Sequence, residues 1–189
     1  MLREHNVEVP ETSIVIRTFN EAKHLDGLLR AIDEQNYQKH EVVVVDSGST
    51  DKTLEIAKNA KVKLVQIESR DFTFGYSLNV GCAVARGKYL VFISAHTLPE
   101  SETWLGHLIA PFSDTAVAMV YGRQKGDARS KFSEQKDFWR LFSKTTQNPK
   151  VPLYYANNAN AAIRRDLWEK EKFDEDLPGL EDIDWARKM

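Results

Sequence analysis

Tyr89-Leu90-Val91-Phe92-Ile93-Ser94-Ala95-His96-Thr97-Leu98-Pro99 decides how this 189-residue chain is read. Its first five residues are all apolar, include aromatic and β-branched members, and are bracketed by Gly87 and Pro99. With no polar residue alternating among them, both faces of the strand need a cover, as in a parallel sheet flanked by helices. Ligands bind such sheets beyond the carboxyl ends of the strands. Ser94, Ala95 and His96 therefore stand at a mouth.

The same grammar runs through the preceding residues. A strand is expected over residues 13–19, after which Asn20 opens a helix whose Leu25, Leu28, Leu29 and Ile32 recur at helical spacing. The nearly pure β-branched run 41–46 is followed by Ser47-Gly48-Ser49-Thr50-Asp51 and a helix carrying Leu54, Ile56 and Ala57. Residues 62–67 give a third strand, 76–86 a helix of small residues ended by Gly87, and 88–94 the fourth strand. Strands alternating with helices of this length predict an α/β domain with a mostly parallel, Rossmann-like sheet. Beyond Pro99 come a helix with Trp104, Leu105, Leu108 and Ile109, a strand near 116–121, and a helix from about 130 to 143. The last carries an aromatic stripe read as core packing.

Composition narrows the function. At 42% hydrophobic the chain can bury one substantial core, and its length argues for one domain over residues 1–189. A net charge of −2, from 26 basic and 28 acidic residues, gives no case for nucleic acid. Eight basic and three acidic residues between 123 and 150, and nine acidic residues with two lysines between 166 and 184, read as solvated faces. The single Cys82 excludes an internal disulfide and fits a reducing compartment, with the cytoplasm as default. No apolar run approaches the ~18 residues of a spanning helix, so no transmembrane segment is expected and any membrane contact is peripheral.

Three strand ends carry groups suited to ligand chemistry: Thr18 with Asn20 and Glu21, Asp46 with Ser47, Gly48 and Asp51, and Ser94 with His96. Carboxylates there can accept from ribose hydroxyls or the imide N–H of a uracil-like base, while Gly48 lets backbone approach. A structural reading competes, in which Asp51 caps its helix and Glu21 favours a helix start. Neither a P-loop nor a GxGxxG pattern occurs, which argues against P-loop NTPases and Rossmann dehydrogenases. Metal could be held by His96 or by the acidic cluster Glu181, Asp182 and Asp184.

Taken together and in order, several segments resemble the family-2 glycosyltransferases of GT-A fold, and most of all their bacterial rhamnosyltransferase-like branch. They are Arg17-Thr18-Phe19-Asn20-Glu21, Val45-Asp46-Ser47-Gly48-Ser49-Thr50-Asp51, Asn79-Val80-Gly81 leading to Ala85-Arg86-Gly87, Asn157 through Arg165, and Gly179-Leu180-Glu181-Asp182. The resemblance implies that Thr18, Glu21, Asp46 and Asp51 hold the nucleoside of a nucleoside-diphosphate sugar, a UDP or dTDP sugar, with Asn79 and Arg86 near its ribose and diphosphate. The family's fourth strand ends in Asp-x-Asp, whose last carboxylate binds a divalent metal on the diphosphate. Here it reads Ser94-Ala95-His96. Three cases follow: His96 ligates a cation such as Mn²⁺, it donates to the diphosphate as an imidazolium, or the site is inactive.

The Glu181-Asp182 pair matches the family's acid motif, which implies Asp182 as general base; acids at a helix start are the plain alternative. Asn157, Asn160 and Arg165 would line the sugar or the acceptor. The implied reaction is inverting transfer to a saccharide or lipid-linked saccharide in bacterial surface-polysaccharide synthesis, in the cytoplasm or at the inner membrane face. The rival reading is a non-catalytic nucleotide-sugar-binding domain, motivated by the missing aspartates and by a chain that stops about two turns into the helix opened by Glu181, as a truncated domain would. A sugar-nucleotide pyrophosphorylase would want a Gly-rich loop near its first strand, which residues 17–21 lack.

Overall fold

A computed structural model describes residues 9–126, 132–142 and 156–189. Strands β1 (Thr12–Thr18), β2 (His40–Asp46), β3 (Lys63–Gln66) and β4 (Tyr89–Ile93) pair in parallel, with helices α1 (Leu25–Asp33), α2 (Thr53–Asn59) and α3 (Phe74–Val84) in the crossovers. Then come α4 (Trp104–Ile109), β5 (Met119–Tyr121), α5 (Phe132–Leu141), β6 (Asn160–Arg164), α6 (Arg165–Lys170) and α7 (Glu181–Lys188). The sheet order is β3-β2-β1-β4-β6-β5, and β6 runs antiparallel to both of its neighbours.

The uniform apolarity of the central strands is explained by two cores. Successive side chains point to opposite faces. Ile14, Ile16, Val44, Val91 and Ile93 pack with Leu25, Leu28 and Ile32 of α1 and with Leu105 and Leu108 of α4. Val15, Val43, Val45, Leu90 and Phe92 meet Leu78 and Cys82 of α3 and Trp185 of α7 on the other face. Each fully buried aliphatic or aromatic side chain contributes roughly 1.5–3 kcal/mol, so these two layers dominate the fold's stability. Gly81 brings α3 close, since a Cβ there would lie 2.4 Å from Val15 Cγ1.

Several boundaries differ from the sequence reading. The first helix starts at Leu25 because Asn20 adopts a left-handed φ of 57° and turns its side chain to the opposite loop, accepting from the Thr50 N–H at 2.8 Å. The aromatic stripe of α5 is only partly core: Phe142, just past its end, is buried with its ring 6.5 Å from that of Tyr121, but Phe132 is 81% exposed. Residues 130, 131 and 143 of the expected helix lie outside the described residues. Strand β6 was not expected. Its Ala161 and Ala162 are poor strand formers, yet Leu90 pairs with Ile163 and Val91 with Ala162, and the small side chains are fully buried.

Topology also fixes where a ligand can sit. From β1 the chain steps outward to β2 and β3, then returns to the other side of β1 as β4. A crevice opens at such a reversal, beyond the carboxyl ends of β1 and β4. Because β6 runs backwards, the turn preceding it is delivered to the same end: Ile93 is registered with Asn160, and the Ser94 N–H donates to Ala159 O at 3.2 Å.

Candidate active site

Alternation along β1 splits the crevice in two. Ile16 and Thr18 point to the α1 side, Val15 and Arg17 to the α3 side. On the α1 side, the fully buried Asp46 organises the loop that follows it. Its Oδ1 accepts from the Gly48 N–H at 3.0 Å and the Ser49 N–H at 2.9 Å, and its Oδ2 from the Thr18 hydroxyl at 3.0 Å and the Ser49 hydroxyl. Four donors satisfy both oxygens, which makes Asp46 the framework of this half of the crevice. Gly48 sits at φ +86°, a conformation costly for any residue with a Cβ, and an added Cβ would fall 2.4 Å from Ser69 Oγ.

Asp51 stitches two loops together, accepting from the Thr53 N–H at 2.9 Å, the Thr53 hydroxyl and the Ala22 N–H at 3.1 Å. These bonds, the Thr53 hydroxyl foremost, hold its carboxyl below the ordinary range. The Glu21 N–H donates to the Thr53 hydroxyl at 2.7 Å, leaving the Glu21 carboxylate pointing across the mouth, where Oε1 lies 3.3 Å from His96 Nδ1. His96 is mostly exposed and Glu21 partly so. That pair, one imidazole and one carboxylate, is what the strand ends offer a cation. Among the described residues no three His, Cys, Asp or Glu side chains converge, and the expected acidic cluster is dispersed: Asp184 pairs with Lys188 at 2.9 Å, Glu181 turns to Arg17, and Asp182 turns to Asn158.

On the α3 side lies a cavity of about 200 Å³ walled by Arg17, Phe74, Ser94, residues 157–159 and residues 179–182. Leu180 caps α7 in the left-handed region at φ 65°, which for a non-glycine residue is strain held in place by its surroundings. The Asn158 N–H donates to Asp182 Oδ2 at 3.1 Å, and the Ile183 N–H to Asp182 Oδ1 at 2.8 Å. Glu181 is buried, its Oε1 3.5 Å from Asn158 Nδ2 and 3.9 Å from the Arg17 guanidinium. Burial pushes the Glu181 carboxyl above its ordinary range, and burial likewise lowers the Arg17 pKa, against the pull of Glu181 and Asp182. The guanidinium lies over the Phe74 ring, 4.8 Å from its centroid, and donates to Phe74 O at 3.4 Å.

The side chains of four residues expected at the ligand are bonded within the protein. Asn79 is buried and spent: its amide donates to Phe173 O and Glu175 Oε1, both at 2.8 Å, and its oxygen accepts from Trp168 Nε1 at 2.9 Å and the Phe173 N–H at 3.1 Å. That exhausts an asparagine's capacity, so it bolts α3 to the segment leading toward Glu181. Arg86 sits at the opposite edge of the sheet, where Ser13 and Glu41 begin β1 and β2, with Nε 2.8 Å from Glu41 Oε2. Five strand residues, about 17 Å, separate that edge from Thr18. Arg165 is at this far edge too, its N–H donating to Lys88 O at 3.0 Å and its guanidinium to Ala85 O. Asn160 is held by Trp104 Nε1 at 2.9 Å and Arg123 O at 3.3 Å. Conversely, Arg17 and Asn158 wall the cavity without having been singled out; a charged residue near the end of an apolar strand was the available signal, because it needs a partner.

Known proteins resemble this chain in sequence and in fold. The sequence model of "Glycosyl transferase family 2" matches residues 13–171. The chain is 28% identical over 189 residues to the O-antigen chain rhamnosyltransferase RfbN of Salmonella typhimurium, covering 94% of this chain and 60% of that protein. It superposes with a TM-score of 0.74, at 25% identity, on the mannosyltransferase PcManGT of Pyrobaculum calidifontis in complex with GDP-Man and Mn²⁺, over 95% of this chain and 51% of the other. S. aureus TarS in complex with UDP-GlcNAc gives 0.73 at 24% identity over 94% of this chain and 52% of the other, a likeness of fold. The chain thus spans about six-tenths of the length of RfbN and about half of each solved structure. A mostly parallel sheet of GT-A type, and a family match over most of the chain, lead to one conclusion: the chain belongs to glycosyl transferase family 2.

Proposed function

We propose that the chain is the catalytic core of an inverting glycosyltransferase. It moves a sugar from a nucleoside-diphosphate donor, a UDP or dTDP sugar, to a hydroxyl of a saccharide or lipid-linked saccharide in surface-polysaccharide synthesis, on the cytoplasmic side of the membrane. The observation that carries the reading is Asp182: both its oxygens are held by backbone N–H groups, and it walls a cavity beside the strand ends. A fixed carboxylate there can take the acceptor's proton as its oxygen attacks the anomeric carbon. The bond from that carbon to the diphosphate breaks, the diphosphate leaves with the electron pair, and the configuration inverts.

In this reading Thr18, Asp46, Gly48 and Asp51 shape the nucleoside half of the crevice and Ser94 lies between the halves. Glu21 and His96 would hold a divalent cation, whose charge would balance the leaving diphosphate. An imidazole suits Mn²⁺ better than Mg²⁺. PcManGT, solved with Mn²⁺, supports a cation in the family. Among the described residues no helix is long and apolar enough to cross a membrane, in keeping with peripheral contact with a lipid-linked acceptor.

Calorimetry with UDP and dTDP, followed by turnover of Asp182→Asn, tests the reading. Nucleotide binding preserved with turnover lost is the expected result. Turnover retained removes Asp182 as base, and a failure of both nucleotides to bind removes the donor.

A further inference from the structure

We propose that Arg17 is a positioning residue: it serves as the shared counter-charge of Glu181 and Asp182, allowing two adjacent carboxylates to stay ionised so that Asp182 remains available as a base. The inference rests on the reading of Asp182 given above and extends it to a residue that sits on another strand.

The geometry begins with the strand. Arg17 is the penultimate residue of β1, on the face that carries Val15 into the α3 core, so its side chain, about 20% exposed, is directed into the cavity on the α3 side. Phe74, the first residue of α3, offers both a ring beneath the guanidinium and a carbonyl as acceptor. Those contacts orient the cation without neutralising it. Glu181 at 3.9 Å is its ion pair. Glu181 is almost fully buried; its own backbone N–H favours the ionised form most, Arg17 is the cation that adds to it, and the Asn158 amide reaches it only at 3.5 Å.

Charge counting then chooses between two roles for Arg17. The charged residues that wall the cavity are Arg17, Glu181 and Asp182. One cation faces two carboxylates, so the cavity is not built to receive a ligand anion, which both acids would repel. A guanidinium remains protonated even when desolvated. It can therefore offset the mutual repulsion of neighbouring acids, one of which is already pushed toward its neutral form by burial.

The test reads the Glu181 carboxyl directly, by ¹³C NMR titration of the folded chain, alongside Arg17→Lys, Arg17→Gln and Arg17→Met, with circular dichroism confirming the fold. The Glu181 midpoint is expected to rise by at least about one pH unit in Arg17→Gln and Arg17→Met, and by less in Arg17→Lys, which keeps the charge but loses the planar fork. Adding Asp182→Asn is expected to lower the Glu181 midpoint more in the Arg17→Gln background than in the parent. A midpoint that stays within a few tenths of a unit across the Arg17 series overturns the proposal. This readout does not depend on turnover, so a base role for Asp182 can fail in the kinetic assay while the counter-charge role stands or falls separately.

Discussion

Arg86 and Glu41 close on one another across the amino-terminal edge of the sheet, with the Arg86 backbone N–H 2.6 Å from Glu41 Oε1 and its Nη2 2.8 Å from Oε2. Burial opposes ionisation of Glu41, but bonds from the Ser13 hydroxyl and from Arg86 outweigh it and leave the carboxyl below its ordinary range. A carboxyl depressed in the folded state contributes stability above the unfolded value and loses it as pH falls through the folded one. Urea midpoints measured from pH 7 to pH 3 should therefore fall below about pH 4.5, and Glu41→Gln should flatten that part of the decline. Arg86→Ala should weaken the fold while leaving UDP affinity of the folded fraction unchanged.

Asn79→Ala strands two buried donors, Trp168 Nε1–H and the Phe173 N–H. The expected loss is roughly 2–4 kcal/mol in denaturant unfolding. Calorimetry with UDP on the folded variant should find affinity within about twofold of the parent, because all four hydrogen-bonding positions of Asn79 face protein.

Gly48→Ala meets two separate obstacles, the left-handed backbone and the Ser69 hydroxyl, which is itself bonded to Ser47 O. The backbone part alone costs roughly 1–2 kcal/mol. Combining it with Ser69→Ala relieves the collision but not the dihedral, so a double-mutant cycle should recover part of the loss and no more. Nucleotide affinity should fall together with stability, since this loop follows Asp46.

His96→Ala separates the cation reading from the imidazolium reading. If Glu21 and His96 hold a cation, Mn²⁺ should raise UDP affinity in the parent and not in the variant, with metal-free affinity equal in the two. A donor loss that is the same with and without Mn²⁺ would instead mark His96 as a direct donor to the diphosphate.

How much of this was visible in the residues alone follows from their physics. Val42-Val43-Val44-Val45 and Leu90-Val91-Phe92-Ile93 could hardly be anything but strands covered on both faces, and the helices between them set the sheet parallel. Strand β6 was hidden because alanines carry no strand signal; its place depends on the partner it covers. In the site, Asp182 walls the cavity, while Asp46, expected at the nucleoside, is fully buried with both oxygens bonded to the loop that it organises. Asn79, in the middle of α3, and Arg86, just past its end, are bonded within the protein, because a polar residue looks the same in sequence whether it turns to a ligand or to protein. Arg17 was legible only as an anomaly, a charge in an apolar run whose partner lies far along the chain.

The reversed strand β6 has a consequence for folding order. Pairing β1 with β2 and β2 with β3 joins residues 28 and 20 apart, as in Thr12 with His40 and Val43 with Lys63, whereas β1 meets β4 across 77 residues, Thr12 with Tyr89, and β4 meets β6 across 67 to 75, Ile93 with Asn160 and Tyr89 with Arg164. Long loop closure delays pairing and makes it the easier pairing to undo. The cavity wall of residues 157–159 rides on that late pairing, so native-state hydrogen exchange should find the amides of β6 opening below the free energy of global unfolding while those of β1 and β2 hold to the end. The wall that carries residues 157–159 can then open locally while the β1–β2 scaffold stays intact.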